Sequence, residues 1–452
     1  MLARASVFAG GFRLEAAERV CAGDRVVAGD VLDILDSLVR KSLLNVDPAP
    51  DEMRFGPLET IRQFGDAQLV ENHEKAAMRR AHARWMADDS DARFAIWRSP
   101  RQGEAHVWLD REIGNLRIAF RWAMEHADVD VAARIASNVG DMARHCLRDE
   151  ATGWADEIVD AARALGHRRL GVLLNWAGSG ACAAARYDDA RRHAEEALAL
   201  VGDAHFDPLV WACVDLAFVA MAEGEFDRAI ALLARGAADP ADSVDRYCAA
   251  CHLAFMAAVG RVDEARTLMD KTLRSVNAAG VPCSIVVAYV GKADALSAID
   301  PPAALAAMEH AMKVARASGC RFLESYFTPR LAVLQARHGD PADALRGLRS
   351  LRSAWSASSD AAVIASQRGN LVVVLVRMRR FIEAATLQGT LDGAMQGAAL
   401  SVYLDDAVIE MRAAMAESDF AQALRQGAAM TPTEADELAL NSLRAALAVV
   451  GG

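Results

Sequence analysis

A short phrase that recurs seven times at nearly constant spacing constrains this chain more than any other feature of its sequence. An aromatic or apolar residue, two mostly polar residues and an alanine opening an apolar run appear as Tyr187-Asp188-Asp189-Ala190, Phe226-Asp227-Arg228-Ala229, Val262-Asp263-Glu264-Ala265, Phe381-Ile382-Glu383-Ala384 and Phe420-Ala421-Gln422-Ala423. Weaker copies end at Ala304 and Ala344, and the successive alanines lie 39, 36, 39, 40, 40 and 39 residues apart. A closed helical bundle imposes no fixed period, whereas a unit too small to bury its own apolar face must stack on copies of itself.

Each element of the phrase has a physical reason. Gly224, Gly260 and Gly339 stand two residues before the aromatic or apolar position in three copies, where a helix must end and glycine enters the left-handed conformation without strain. The following Asp and Glu residues fall in the first turn of the next helix, where carboxylates favour the exposed amides. The alanine lets that helix approach its partner closely. Beyond it the apolar spacing is helical, as in Ala194, Ala197, Leu198 and Val201, or Ala229, Leu232 and Leu233. Composition agrees, with 53% apolar and only 6% aromatic residues, a balance suited to helices packed through small side chains.

This pattern resembles the tetratricopeptide repeat, a helix-turn-helix unit, over roughly residues 165–429; the repeats here run longer than that family's usual unit. The resemblance implies an all-α fold, a right-handed tetratricopeptide-like superhelix, with a peptide- or protein-binding concave face. The chain divides accordingly into a partial winged-helix domain at 1–70 with a small β-hairpin, a helical connector at 71–164, the repeat array at 165–429 and a C-terminal helical tail at 430–452. Within the connector, residues 71–101 read as charged and irregular around Asp88-Asp89-Ser90-Asp91.

The winged-helix reading rests on the first seventy residues. Phe12 to Val20 is a short amphipathic helix after a Gly-Gly turn, and Asp30 starts a second whose apolar face is Val31, Leu35, Leu38 and Val39. Ser42 to Val46 and Met53 to Phe55 flank the turn-rich segment Asp47-Pro48-Ala49-Pro50-Asp51, which predicts a hairpin. Four phrases, Ser6 to Phe12, Val31 to Asp47, Leu58 to Phe64 and Asn115 to Ala123, resemble those that follow the nucleotide-binding domain of bacterial STAND-class signalling ATPases, the large LuxR- or AfsR-type transcriptional regulators. That resemblance implies the winged-helix and repeat portion of such a regulator, a sensor or scaffold rather than an enzyme. No G-x-x-x-x-G-K-[ST] loop occurs in this chain, so the resemblance leaves two arrangements open, a separate ATPase module as a partner or a longer protein of which this chain is one portion. AfsR-like relatives carry a His-Asp pair after the second wing strand, where this sequence has Gly56-Pro57.

Charge and cysteine usage exclude several function classes. A net charge of −11 lacks the basic footprint of a nucleic-acid binder, and the second winged-helix segment adds Asp30, Asp33 and Asp36 against Arg40 and Lys41 only. DNA binding through the winged helix is therefore the alternative reading and not the first. Eight cysteines without a pairing scheme read as buried thiols in a reducing compartment, with no disulfides expected. The first twelve residues build no signal peptide, and the longest uncharged stretch, 170–185, is too short and polar to span a membrane, so a cytoplasmic location is expected.

No catalytic, cofactor-binding or metal-ligating set emerges. Cys248-Ala249-Ala250-Cys251-His252 matches the C-x-x-C-H haem-attachment sequence, yet it falls inside a helix of the array where small apolar residues pack. The histidines show no paired-ligand spacing, and Gly178-Ser179-Gly180 lacks the frame of a hydrolase elbow. What remains is a partner surface. Counting back from the phrase alanines in the tetratricopeptide register puts Trp211, Tyr247 and Tyr326, then Asn175 and Tyr289, then Phe218, on the concave face. Large rigid side chains there would contribute disproportionately to binding. A shifted register would instead make them core between repeats.

Overall fold

The computed structural model describes residues 1–23, 26–49, 52–200, 208–238, 246–339, 343–344, 348, 361–391 and 403–450. The described chain is overwhelmingly helical with one small sheet and forms two compact units. The first comprises residues 1–97, 104–142 and 151–173; the second comprises 98–103, 143–150 and 174–452.

The first unit begins with α1 (Leu2–Ala5), β1 (Phe12–Arg13), α2 (Leu14–Cys21), α3 (Val31–Arg40), β2 (Asn45–Ala49) and β3 (Glu52–Gly56). The strands are antiparallel in the order β1-β3-β2, with Phe12 opposite Phe55 and Val46 also opposite Phe55. The hairpin expected from the turn-rich segment is present; its apex, residues 50–51, lies outside the described residues. The helix expected from Phe12 begins instead at Leu14. Phe12 and Arg13 form a third strand because Gly10 and Gly11, both left-handed, turn the chain so that Phe12 stacks on Phe8 and lies beside Phe55. Val31 and Leu35 of α3 are fully buried in the same core with Phe8, Phe12, Leu44 and Leu69.

Four longer helices complete this region: α4 (Glu59–Glu71), α5 (Lys75–Trp97), α6 (Gln102–Glu125) and α7 (Val129–His145), followed by α8 (Asp149–Thr152) and α9 (Trp154–Ala164). The charged stretch around Asp88 is not irregular, as expected above, but the middle of the 23-residue α5. Its carboxylates are neutralised locally: Asp89 pairs with Arg13 at 2.5 Å and accepts from the Trp108 indole at 2.7 Å, while Asp91 pairs with Arg134 and Arg169, each at 2.5 Å. Paired in this way, acidic residues that read as loop in sequence become helix interior.

In the second unit, helical hairpins follow one another as α10 (Leu170–Ala183) with α11 (Tyr187–Ala199), α12 (Pro208–Ala222) with α13 (Phe226–Ala237), α14 (Tyr247–Ala258) with α15 (Val262–Ala279), and α16 (Pro282–Leu296) with α17 (Pro301–Ser318). After α18 (Arg321–His338) come α19 (Ala361–Arg377) with α20 (Phe381–Gly389), α21 (Leu404–Ala414) with α22 (Glu417–Ala428), and α23 (Pro432–Val450). The recurring phrase opens or lies in the second helix of each hairpin. Its alanines are all buried: Ala190, Ala229, Ala265, Ala304, Ala344 and Ala384 are wholly inaccessible and Ala423 is 4% exposed. Val201, expected to extend the apolar face of α11, lies outside the described residues.

Four of the six described reversals between paired helices share one backbone device. Residues 185, 224, 260 and 379 adopt φ of 56°, 77°, 84° and 60°. At each, the next amide donates to the carbonyl five residues back, at 2.8–3.0 Å, the Schellman closure of a helix end. Gly224 and Gly260 thus behave as expected. Gly339 does not, with φ −133°; α18 ends there by a different route. Ala185 and Arg379 hold the same left-handed conformation without being glycine. Where the phrase weakens, other signals start the helix: the Asp300 carboxylate accepts from the Ala303 amide at 3.1 Å, and prolines at 301 and 302 fix its first turn. No described helix is long and apolar enough to cross a membrane.

Candidate interaction surfaces

In the second unit the first helices of successive hairpins present a line of aromatic rings. Trp176 of α10 meets Trp211 of α12 edge to face at 5.0 Å, and Trp211 stacks on Tyr247 of α14 at 5.1 Å. Trp211 and Tyr247 are 36 residues apart, like Ala229 and Ala265, and so hold equivalent positions; Trp176, 14 rather than 18 residues before its phrase alanine, joins the line from one helical turn further along. The end of α7, which belongs to this unit, continues the line. His145 lies edge-on to Tyr247 at 6.4 Å and to Phe322 of α18 at 5.8 Å, and Phe322 stacks on Tyr326 at 5.9 Å. The Arg144 guanidinium sits 5.0 Å over the Phe322 ring and donates to the Ser179 carbonyl at 2.9 Å and hydroxyl at 2.5 Å.

Of the six residues expected on the concave face, three are brought together here: Trp211 and Tyr326, both half-buried, and Tyr247, 9% exposed. Asn175 is fully buried, one residue away from the ladder position that Trp176 occupies. Tyr289 is elsewhere: its ring packs on His310 at 4.3 Å, with Asn277 3.4 Å from its hydroxyl and the Lys292 ammonium 5.7 Å above it. Phe218 is half-buried on α12. Sequence reasoning missed Trp176 because it lies 14 residues before its phrase alanine, whereas Trp211 and Tyr247 lie 18 before theirs. It could not find Arg144, His145 and Phe322, because nothing local links the end of α7 to the repeats.

Both cysteines of the C-x-x-C-H phrase are buried in the array. Cys248 is wholly buried in α14, its thiol donating to the Leu233 carbonyl at 3.4 Å, and Gly236 of the neighbouring helix leaves room for its sulfur. Burial also holds His252 below the usual imidazole range, although the Glu264 carboxylate works the other way.

In the first unit the wing strands are held from behind by α6. Arg54 of β3 pairs with Glu112 at 2.5 Å, both side chains about 5% exposed. Asn115 receives the Ala9 amide at 2.7 Å, and its own amide donates to the Gly11 carbonyl at 2.9 Å and to Glu112 at 2.6 Å. Two of the phrases singled out in sequence, Ser6 to Phe12 and Asn115 to Ala123, are therefore partners in space. His82 of α5 completes the junction, 3.4 Å from the Asn115 carbonyl and edge-on to Phe8. Burial, with Arg79 nearby, pushes its imidazole down to about 3, so it is neutral at ordinary pH. The outward face of α3 carries Leu32, Asp33, Asp36 and Arg40, with Asp36 and Arg40 paired at 2.8 Å. That face carries two acidic groups against one basic group.

No protein-family model matches the chain. Curated relatives from Mycobacterium bovis and two strains of Mycobacterium tuberculosis carry the provisional name HTH-type transcriptional regulator. Each is 33% identical over 165 residues, covering 35% of this chain and 18% of the relative. The chain thus matches under a fifth of those proteins' length, and over about a third of its own it is similar to HTH-type transcriptional regulators.

Proposed function

We propose that this chain is a non-enzymatic sensor or scaffold portion of a bacterial transcription-regulatory protein, binding a protein or peptide through tetratricopeptide-like hairpins. The aromatic line from Trp176 through Trp211 to Tyr247 carries the reading. Trp211 and Tyr247 keep the period of the hairpins, Trp211 is only half-buried, and the chemistry of the line suits a peptide rather than a charged metabolite. The STAND-type architecture makes an ATPase module, in the same protein or a separate one, the second candidate partner. The name of the relatives favours another reading, a DNA-binding regulator acting through its own winged helix; the acidic outward face of α3 and the burial of Arg54 oppose it.

Duplex DNA titrated into the full chain at two salt concentrations separates the two. The scaffold reading expects no association that weakens with salt, whereas a steep negative slope of log K against log salt would transfer the function to the winged helix. A peptide array probed with wild type and Trp211→Ala tests the groove directly. Binding to defined peptides lost in the variant supports the ladder; equal binding by both overturns it.

A further inference from the structure

The geometry points to a site for a zinc-class metal ion at His145, Cys283 and Cys320, a place to which neither the proposed function nor the relatives assign a role. One donor atom from each of the three residues lies within 4.8 Å of the others, and all three side chains are buried in the second unit. The two sulfurs are 3.8 Å apart. A tetrahedral ion with zinc–sulfur bonds of about 2.3 Å requires its thiolates to be about 3.8 Å apart, so the sulfurs already stand at the separation the ion would impose.

The elements that carry the donors suit this charge arrangement. Cys283 lies in the first turn of α16, behind Pro282, and Cys320 immediately precedes α18. Both sulfurs therefore sit at the positive ends of helix dipoles, where the charge of a metal-bound thiolate is favoured. His145 is the last residue of α7, where a carbonyl-rich helix end favours a cation. Two thiolates and a neutral imidazole balance a divalent charge, so the filled site is neutral in a buried place. The Cys283 amide donates to the Gln102 side chain at 3.0 Å, which fixes the first turn carrying that sulfur. Three protein donors leave a fourth position, which a water would fill. The ion would tie the end of α7 to α16 and α18, and with it the His145 ring that lies against Tyr247 and Phe322.

The test uses the full chain, reduced and free of metal. Titration with Co²⁺ is expected to saturate at one equivalent, with the near-ultraviolet charge-transfer band of two thiolates and the visible bands of a tetrahedral ion. Added Zn²⁺ should abolish both and raise the thermal midpoint. Cys283→Ser and Cys320→Ser should each lose about half of the charge-transfer intensity or all binding, and His145→Gln should weaken binding at least tenfold. Cys182→Ser, outside the cluster, should titrate like wild type. If a serine variant fails to fold, wild-type stoichiometry and spectrum still decide the matter. No uptake by the reduced wild-type chain overturns the site, as does uptake without a thiolate band, or one that survives in the Cys283→Ser/Cys320→Ser double variant.

Discussion

Four helix reversals adopt the same left-handed conformation with different residues, which permits a direct measurement of what that conformation costs. Ala185 and Arg379 are exposed, so replacing either by glycine removes no buried contact. A non-glycine residue in this region costs about 1–2 kcal/mol. Glycine returns part of that gain through the larger entropy of its unfolded chain, about 0.4–1 kcal/mol. Ala185→Gly and Arg379→Gly should each stabilise the array by a net of about 0.5–1 kcal/mol. The reverse changes are equally clean. A Cβ built on Gly224 or Gly260 has no atom within 4 Å among the described residues, so Gly224→Ala and Gly260→Ala introduce backbone strain and no clash. Both should destabilise by about the same amount. Urea denaturation followed by far-ultraviolet circular dichroism reads all four; the midpoints should move in opposite directions for the two pairs at a constant slope. A loss of stability in Ala185→Gly, or no effect in either reverse variant, would refute the shared turn.

Other perturbations probe packing and charge. Ala229→Leu and Ala265→Leu place a large side chain where no surface is accessible and should cost about 1–3 kcal/mol each; an unchanged denaturation midpoint in both would contradict the register. Gly427→Ala would drive a methyl into the Thr386 carbonyl oxygen of the facing helix, so it should cost more than either and loosen the α20–α22 pair, as judged by hydrogen exchange. Trp211→Ala and Tyr326→Ala should leave thermal stability nearly intact while abolishing peptide capture; a loss of about 3–5 kcal/mol would make them core. His82, at about 3 in the folded chain against 6.5 unfolded, contributes stability that is complete above pH 6.5 and falls by about 1.4 kcal/mol per unit as pH drops toward 3; His82→Gln should flatten that slope. Asp294 runs the other way. Burial, opposed by Arg330 at 2.9 Å, raises it to about 6 from 3.8, so ionisation costs stability as pH rises through that window, on the order of 3 kcal/mol in all. Asp294→Asn should remove this decline even if the orphaned Arg330 lowers stability at every pH.

The sequence by itself determined the features that repeat or that act within a few residues. The period of the phrase alanines foretold which positions would be inaccessible, because a helix pair closing at fixed intervals needs a small residue at each crossing. The hairpin at Asn45 to Gly56 and the buried face of α3 followed from turn chemistry and helical periodicity. Tertiary structure decided what depends on partners far along the chain. Phe12 became a strand because Phe55 lay ready to pair with it, and the aspartates of α5 became helix interior because Arg13, Arg134 and Arg169 reached them. Arg379 took a conformation that its residue type disfavours because the helices on either side of the turn are held by their own packing. The same long-range closure placed His145 beside Cys283 and Cys320, residues with no motif between them. Local propensity acts over one or two turns of helix, and a site assembled from the end of one helix and the starts of two others exists only once their apolar faces have packed.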